Sequence, residues 1–266
     1  MRLIRVIGSV LGCGLAVVTA GQSESTVPPV RLELGGYYSQ ADHGFGYWRG
    51  AQTQLWIRSN PRFIPIFVFD SQSRPEGTRQ SYGVLSYLNW TPNFYTIQGV
   101  SAAPNQDRQA TLFPKLRYDF KAHWKTPPTR NLVVAVGFTR FDFGNRLRGE
   151  IYNLGSIYYR HRWVVEGNLF LNRSRPLERW TASAMVSAMR GREGKQWVGT
   201  TLSGGREFYQ MTGVPVYEFQ FKSYTLVGFY RKWLSRHFGV YVSAEFQHRI
   251  GQYHRIGVNS RVFFEF

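Results

Sequence analysis

The stretch QYHRIGVNSRVFFEF, residues 252–266, decides the fold. From Ile256 onward one set of alternate residues is Ile256, Val258, Ser260, Val262, Phe264 and Phe266. The intervening set is Arg255, Gly257, Asn259, Arg261, Phe263 and Glu265. Strict alternation of this kind predicts a β-strand with one apolar and one polar face. The pattern recurs upstream in segments of about ten residues, the length a tilted strand needs to cross a bilayer. Its cleanest copy is TLFPKLRYDFKAHWK, residues 111–125. There Leu116, Tyr118, Phe120, Ala122 and Trp124 alternate with Lys115, Arg117, Asp119, Lys121, His123 and Lys125. Segments 30–40, 46–58, 81–90, 93–100, 131–141, 148–160, 163–172, 179–189, 196–209, 216–233 and 238–248 are read the same way. RFIPIFVFD, residues 62–70, is apolar on both faces, and its Pro65 requires a bulge or an unpaired position. A face change near Ser223 suggests a bulge in segment 216–233.

These segments predict an all-β, antiparallel up-and-down transmembrane barrel of about fourteen strands, or twelve if segment 62–70 merges with a neighbour. An even count puts both ends in the periplasm. The periplasmic turns are then short: SNP, TPN, TPPTR, HR, GREGK and LSRH. The opposite set is longer and more basic: SQSRPEGTR (71–79), SAAPNQDRQ (101–109), NRSRPLER (172–179) and QMTGVPV (210–216). The chain stops on an aromatic residue, like the last strand of Gram-negative outer-membrane barrels, which the barrel-assembly machinery reads. Phe264 and Phe266 are the expected assembly signal.

Composition agrees with a barrel in the cell outer membrane. Mean hydropathy is only −0.32, yet the chain holds 16 Tyr, 20 Phe and 8 Trp. One apolar face per strand, with Tyr and Trp at the interfaces, accounts for both facts. Tyr158, Tyr159, Trp163, Trp180, Trp197 and Trp233 are expected in those girdles. At the N-terminus Arg2 and Arg5, an apolar run Val6–Val18 and the small residues Val18-Thr19-Ala20 form a secretory signal peptide, residues 1–20. A loose lipobox, Val10-Leu11-Gly12-Cys13, is the rival reading, with Cys13 as a lipid-bearing first residue. Residues 21–29 form a short polar lead and 30–266 the barrel. Cys13 is the only cysteine, so the mature chain would offer no disulfide, thiol nucleophile or thiolate metal site.

The net charge is +17. It favours anionic partners, and the signal peptide and alternation argue against nucleic acid. On the polar faces Lys115, Arg117, Lys121, His123, Lys125, Arg255 and Arg261 would line the lumen. Such a lining would concentrate anions. The competing reading pairs these cations with Asp119, Glu166, Glu218, Glu245 and Glu265 in a closed network. The basic outer segments carry Arg74, Arg79, Arg108, Arg146, Arg148, Arg173, Arg175 and Arg179, whose guanidinium forks suit lipopolysaccharide phosphates. Enzyme chemistry has few ingredients here. Ser243 and Glu245 share a face and His248 takes the other, which breaks a Ser-His-acid set. His248 and His254 flank the last turn as a two-ligand metal site at best. No catalytic residue, metal or cofactor is implied.

Ser203-Gly204-Gly205-Arg206-Glu207-Phe208-Tyr209, Phe229 to Leu234, Phe238-Gly239-Val240, Glu245-Phe246-Gln247, Tyr253-His254-Arg255 and Gly257 through Phe266 together resemble the YaiO family of outer-membrane β-barrels. The resemblance implies a small barrel, sometimes associated with envelope polysaccharide systems, and brings no catalytic residues. The function expected is a non-enzymatic channel, portal or structural envelope protein for anionic solutes or polysaccharide, the expected partners being outer-membrane lipid including lipopolysaccharide, the barrel-assembly machinery and a polysaccharide secretion system. The alternative is a lipid- or glycan-modifying enzyme in the same barrel.

Overall fold

A backbone surrounded by lipid must satisfy its own N–H and C=O groups, and a sheet closed on itself does so without leaving an edge. The computed structural model describes residues 28–75, 77–104, 114–144, 147–175, 178–211 and 217–266, the side chains of 147, 207–211 and 217–221 excepted. The expected signal segment and Cys13 lie outside these residues. The strands are β1 (Val30–Ala41), β2 (Gly46–Ile57), β3 (Phe63–Arg74), β4 (Gly77–Thr91), β5 (Phe94–Ala102), β6 (Leu116–Lys125) and β7 (Leu132–Gly144). They continue as β8 (Leu147–Arg160), β9 (Trp163–Arg175), β10 (Arg179–Arg192), β11 (Gln196–Met211), β12 (Tyr217–Trp233), β13 (Phe238–Arg249) and β14 (Tyr253–Glu265). Each pairs antiparallel with its sequence neighbours, and β1 pairs with β14 to close the barrel. The count is fourteen, not twelve.

Both ends of the sheet lie at one rim, called here the termini end. Its connections are short, as at 161–162 and 193–195. The opposite rim departs from expectation. β3 and β4 run on to Arg74 and Gly77, β9 and β10 to Arg175 and Arg179, and β11 and β12 to Met211 and Tyr217. Most of the expected loops 71–79 and 172–179 is therefore strand, as are Gln210 and Met211 of the expected loop 210–216, whose residues 212–216 lie outside the described residues. The physical reason is that a sheet needs hydrogen bonds, not apolar residues, to continue past the lipid. Of SAAPNQDRQ, Ser101 and Ala102 belong to β5, and 105–109 are outside the described residues.

Pro65 stays in register with β4, opposite Ser86, while the β2–β3 register ends one residue earlier at Trp56↔Ile66. It thus occupies an unpaired position on the β2 side. The bulge expected at Ser223 does not form: β12 passes it in unbroken register with β11, and its pairing with β13 begins there, at Ser223↔Arg249. Irregularities fall instead beside turns, at Asn89/Thr91 and Asp142/Gly144.

Outward positions carry the apolar residues, among them Val136, Leu154, Leu169, Leu202 and Ile256, all more than half exposed. Such a belt is untenable in water and natural in lipid. Inside, Val133, Ile157, Val164, Met189, Trp197, Trp233 and Phe263 form one buried cluster near the termini end. Trp197, Trp233 and Tyr159 thus correct the girdle expectation: strand parity turns them inward. Tyr158, Trp163 and Trp180 are exposed on the outer face. Phe263 packs edge-on against Trp233, with ring centroids 5.0 Å apart. It also lies on its cross-strand partner Gly239, where a Cβ would come within 2.1 Å of the ring. That contact permits only glycine at 239.

The terminal strand therefore separates packing from exposure. Phe263→Ala empties a fully buried site and should lower stability by about 3–5 kcal/mol in urea unfolding from lipid or detergent. Phe266, 63% exposed, holds Val30 through backbone hydrogen bonds, so Phe266→Ala should change stability by no more than about 0.5 kcal/mol.

Candidate functional site

Alternation sends polar side chains from every strand into the barrel, and the interior is the place to look for function. At the termini end a charged layer adjoins the apolar cluster. Arg31 on β1 is 1% exposed. Its Nε donates to Glu265 Oε1 at 2.6 Å and its Nη2 to Glu193 Oε1 at 2.7 Å. Glu33 lies 3.8 Å away. Glu33 also pairs with Arg231 and with Arg261, the latter at 3.6 Å. Trp233 Nε1 donates to Glu265 at 2.9 Å, and Trp197 Nε1 to Glu193 at 3.3 Å. Glu193 sits in the β10–β11 turn, so its bond to Arg31 links elements that are not neighbours in the sheet. Arg58, in the turn after β2, lies 3.4 Å from Glu265. Burial, and then the neighbouring Arg31, push its guanidinium down to about 10, which still leaves it protonated at neutral pH.

The expected lumen residues fall as follows. Lys115 is exposed and precedes β6 rather than lying within it. Arg117 grips Asp119 with two 2.7 Å bonds, and Thr139 donates to the same carboxylate at 2.7 Å. Lys121 donates to Asn168 at 3.2 Å and lies 3.6 Å from Glu166. His123 is buried and stacks on Tyr95, centroids 4.4 Å apart, with Lys125 over the same ring at 5.4 Å. Arg255 pairs with Glu245 and covers Trp48 at 4.5 Å. Arg261 pairs with Glu33 and covers Tyr241 at 4.9 Å. The alternative of a paired interior is thus realised at most of these positions. Glu218 lies outside the described side chains.

Arg74 and Arg79, expected above the outer leaflet, are strand residues at inward positions, and Arg74 covers Trp48 at 4.2 Å. Arg148, Arg173 and Arg175 point outward, Arg179 is exposed at the start of β10, and Arg108 and Arg146 are outside the described residues. Sequence reasoning passed over Arg31, Glu33 and Arg231. Alternation in β1 carried the signal for the first two, since Arg31 and Glu33 oppose Leu32 and Leu34. Nothing local marks Glu193.

His248 and His254 do meet, with Nδ1 atoms 3.0 Å apart, on the outer face. Asp42, in the β1–β2 turn, accepts from His254 N and pairs with His43 Nδ1, each at 2.7 Å. The His43 bond holds its carboxyl below the usual range. Among the described residues no three His, Cys, Asp or Glu are grouped to hold a metal. Ser243 and Glu245 face inward and His248 outward, so no nucleophile-base-acid set converges.

Residues 30–210 match the model of the YaiO membrane beta barrel domain. The chain belongs to that family. The match covers the earlier strands, and of the motifs that carried the resemblance only Ser203 to Tyr209 lies within it. None of the curated proteins matches the chain. Among solved structures it is similar to a bacterial polysaccharide outer membrane secretin, at 9% identity, covering 90% of this chain and 99% of the other, TM-score 0.58. It is also similar to the COG4313 outer membrane channel from Pseudomonas putida F1, at 8% identity, covering 94% and 100%, TM-score 0.54. A third is Pseudomonas putida OprB, at 7% identity, covering 90% and 94%, TM-score 0.50. These likenesses are of fold. With the family, they establish a YaiO-type outer-membrane barrel.

The charged layer makes an energetic claim. Arg31→Ala strips Glu33 and Glu265 of a buried partner and should cost about 3–5 kcal/mol in urea unfolding. Glu193 is 35% exposed, so Glu193→Gln should cost less than about 1 kcal/mol.

Proposed function

We propose that the barrel is a non-enzymatic conduit for anionic solutes or segments of anionic polysaccharide, narrowed at its termini end. The observation that carries this reading is the charge of the inward positions. Among the described side chains Arg31, Arg74, Arg79, Arg117, Lys121, Lys125, Arg231, Arg249, Arg255 and Arg261 take such positions. The carboxylates there are Glu33, Asp70, Asp119, Glu166, Glu245 and Glu265. After pairing, a positive excess is left, and a low-dielectric wall focuses it on the water inside. Support for water comes from the middle of the barrel. Inward residues there, including Gly35, Gly99, Ser101, Gly137 and Thr139, are small and only partly buried, and Arg117 and Lys121 keep about a quarter of their side chains exposed.

Substrate identity rests on the interior and not on the neighbours' names. The secretin is named for polysaccharide, but its likeness is one of fold. Residues 1–20 fit this role as the export signal, and the exposed Phe266 with Phe264 as the signal to the assembly machinery. The termini end would then face the periplasm, where a polysaccharide secretion partner would meet the short turns.

Single-channel recording across a salt gradient tests the conduit. The wild type should give a reversal potential of anion preference, and Arg117→Gln/Lys121→Gln/Lys125→Gln should shift it toward zero. Glu193→Gln should raise the open fraction by loosening the termini end. Absence of conductance in both proteins, despite heat-modifiable folding, would overturn the reading. Turnover of a lipid or glycan abolished by one Ser243 or His248 replacement would favour the enzyme instead.

A further inference from the structure

We propose that the outer face of β7 to β10, at the rim opposite the termini, is a binding site for a phosphorylated glycolipid of the outer leaflet. The strand register aligns its residues in two rows. Arg140, Glu150, Arg173 and Trp180 are successive cross-strand partners over four strands. One step further along the barrel, Asp142, Arg148 and Arg175 form the second row. All take outward positions, and neither row belongs to the interior.

What lies beneath the rows defines the ligand's tail. The next outward rows toward the termini end are Phe138, Tyr152 and Leu171, and then Val136, Leu154 and Leu169. Val136, Leu154, Leu169 and Leu171 are each more than half exposed. Two residues along a strand span about 7 Å. The surface therefore changes from bare hydrocarbon to guanidinium within one headgroup's thickness. Trp180 marks the boundary, 53% exposed, its ring 5.8 Å from Tyr152 and under the Arg173 guanidinium at 5.4 Å.

The carboxylates position the forks. Glu150, 8% exposed, lies 3.6 Å from Arg173 and 3.7 Å from Arg175 and holds the two guanidinia side by side. Glu178 meets Arg173 at 3.1 Å, and Asp142 meets Arg148 at 3.2 Å. Four guanidinia against three carboxylates leave a positive excess, and three of these planar donors, Arg148, Arg173 and Arg175, are oriented by the carboxylates. Planar forks match phosphate oxygens, and their orientation is set before the ligand arrives. A ligand with phosphate directly above several acyl chains satisfies both zones. At the rim opposite the termini of an outer-membrane barrel, that ligand is the outer-leaflet glycolipid rather than an inner-leaflet phospholipid. The placement rests on the termini end facing the periplasm.

Native mass spectrometry of the purified barrel in detergent tests the site, with three probes: bisphosphorylated hexa-acyl lipid A, its dephosphorylated form and dioleoyl phosphatidylglycerol. Wild type should retain the bisphosphorylated form at least about tenfold more tightly than either other probe, the scale of one or two charge-assisted contacts. Arg140→Gln/Arg173→Gln/Arg175→Gln should lose that preference. Because this variant leaves the buried Glu150 without a cationic partner, Glu150→Gln/Arg173→Gln/Arg175→Gln serves as the second variant; the one carboxylate it deprives of a partner, Glu178, is exposed. Arg160→Gln/Arg190→Gln, which removes exposed outward cations near the termini end, should keep wild-type retention. Equal retention of all three probes by wild type, or wild-type preference in the folded second variant, would overturn the proposal. Loss of conductance without loss of lipid preference would count against the conduit reading alone.

Discussion

The structure depends on the seam between β1 and β14. Its register, from Arg31↔Glu265 to Ala41↔Arg255, removes the only two edges the sheet would otherwise expose to lipid. Unpaired backbone groups cost several kcal/mol each there, so closure is a condition of existing in the membrane. The same seam fixes the chemistry. A slip of one residue would turn Arg31 and Glu33 to the lipid and Leu32 and Leu34 inward. In the register observed, two residues 234 positions apart become neighbours on one interior row. The charged layer is thus a product of closure and cannot form before it.

Along the axis the interior divides by side-chain size. Near the termini end Trp56, Ile64, Val133, Ile157, Trp197, Trp233 and Phe263 are large and nearly solvent-free. Glycine, serine and threonine take over in the middle. A fourteen-stranded barrel is wide enough that its interior fills only where large residues are supplied. The chain supplies them at one end. Near the other rim a smaller cluster of Ala41, Trp48 and Tyr253, with Phe45 against it, occupies only the β1, β2 and β14 side.

How much of this was legible in the sequence follows from which interactions are local. The outward face was legible, because lipid imposes one rule on every second residue, as in Leu116 through Trp124. Strand ends were not. Ser71 to Arg79 reads as a loop because its residues are polar, and polarity marks only where the lipid stops. The positions of Trp197 and Trp233 were missed for a related reason. An aromatic near a strand end satisfies the composition of a girdle, but its parity, set by Val198 and Lys232 pointing outward, decides otherwise. The Arg31–Glu193 contact, at a separation of 162 residues, leaves no pattern in either segment. The matching of Arg140 with Glu150 and Arg173 also needed the register, since the residues come from three strands.

The mixture of materials at the termini end bears on what the end is for. Buried ion pairs are a weak source of stability: desolvation offsets much of the Coulomb gain, and apolar residues of similar volume often hold a structure better. This chain has such residues at hand, since the buried apolar cluster already draws on seven of the fourteen strands at that end. Yet the contact bridging the interior, from the β10–β11 turn to β1, is an ion pair, and its Glu193 partner keeps a third of its surface in water. An apolar plug pulled apart would expose hydrocarbon to water. A parted ion pair hydrates, so its opening costs far less. Under the conduit reading the fixed part of the end is therefore apolar and the separable part ionic, which makes Glu193, rather than any residue of the apolar cluster, the natural point of release.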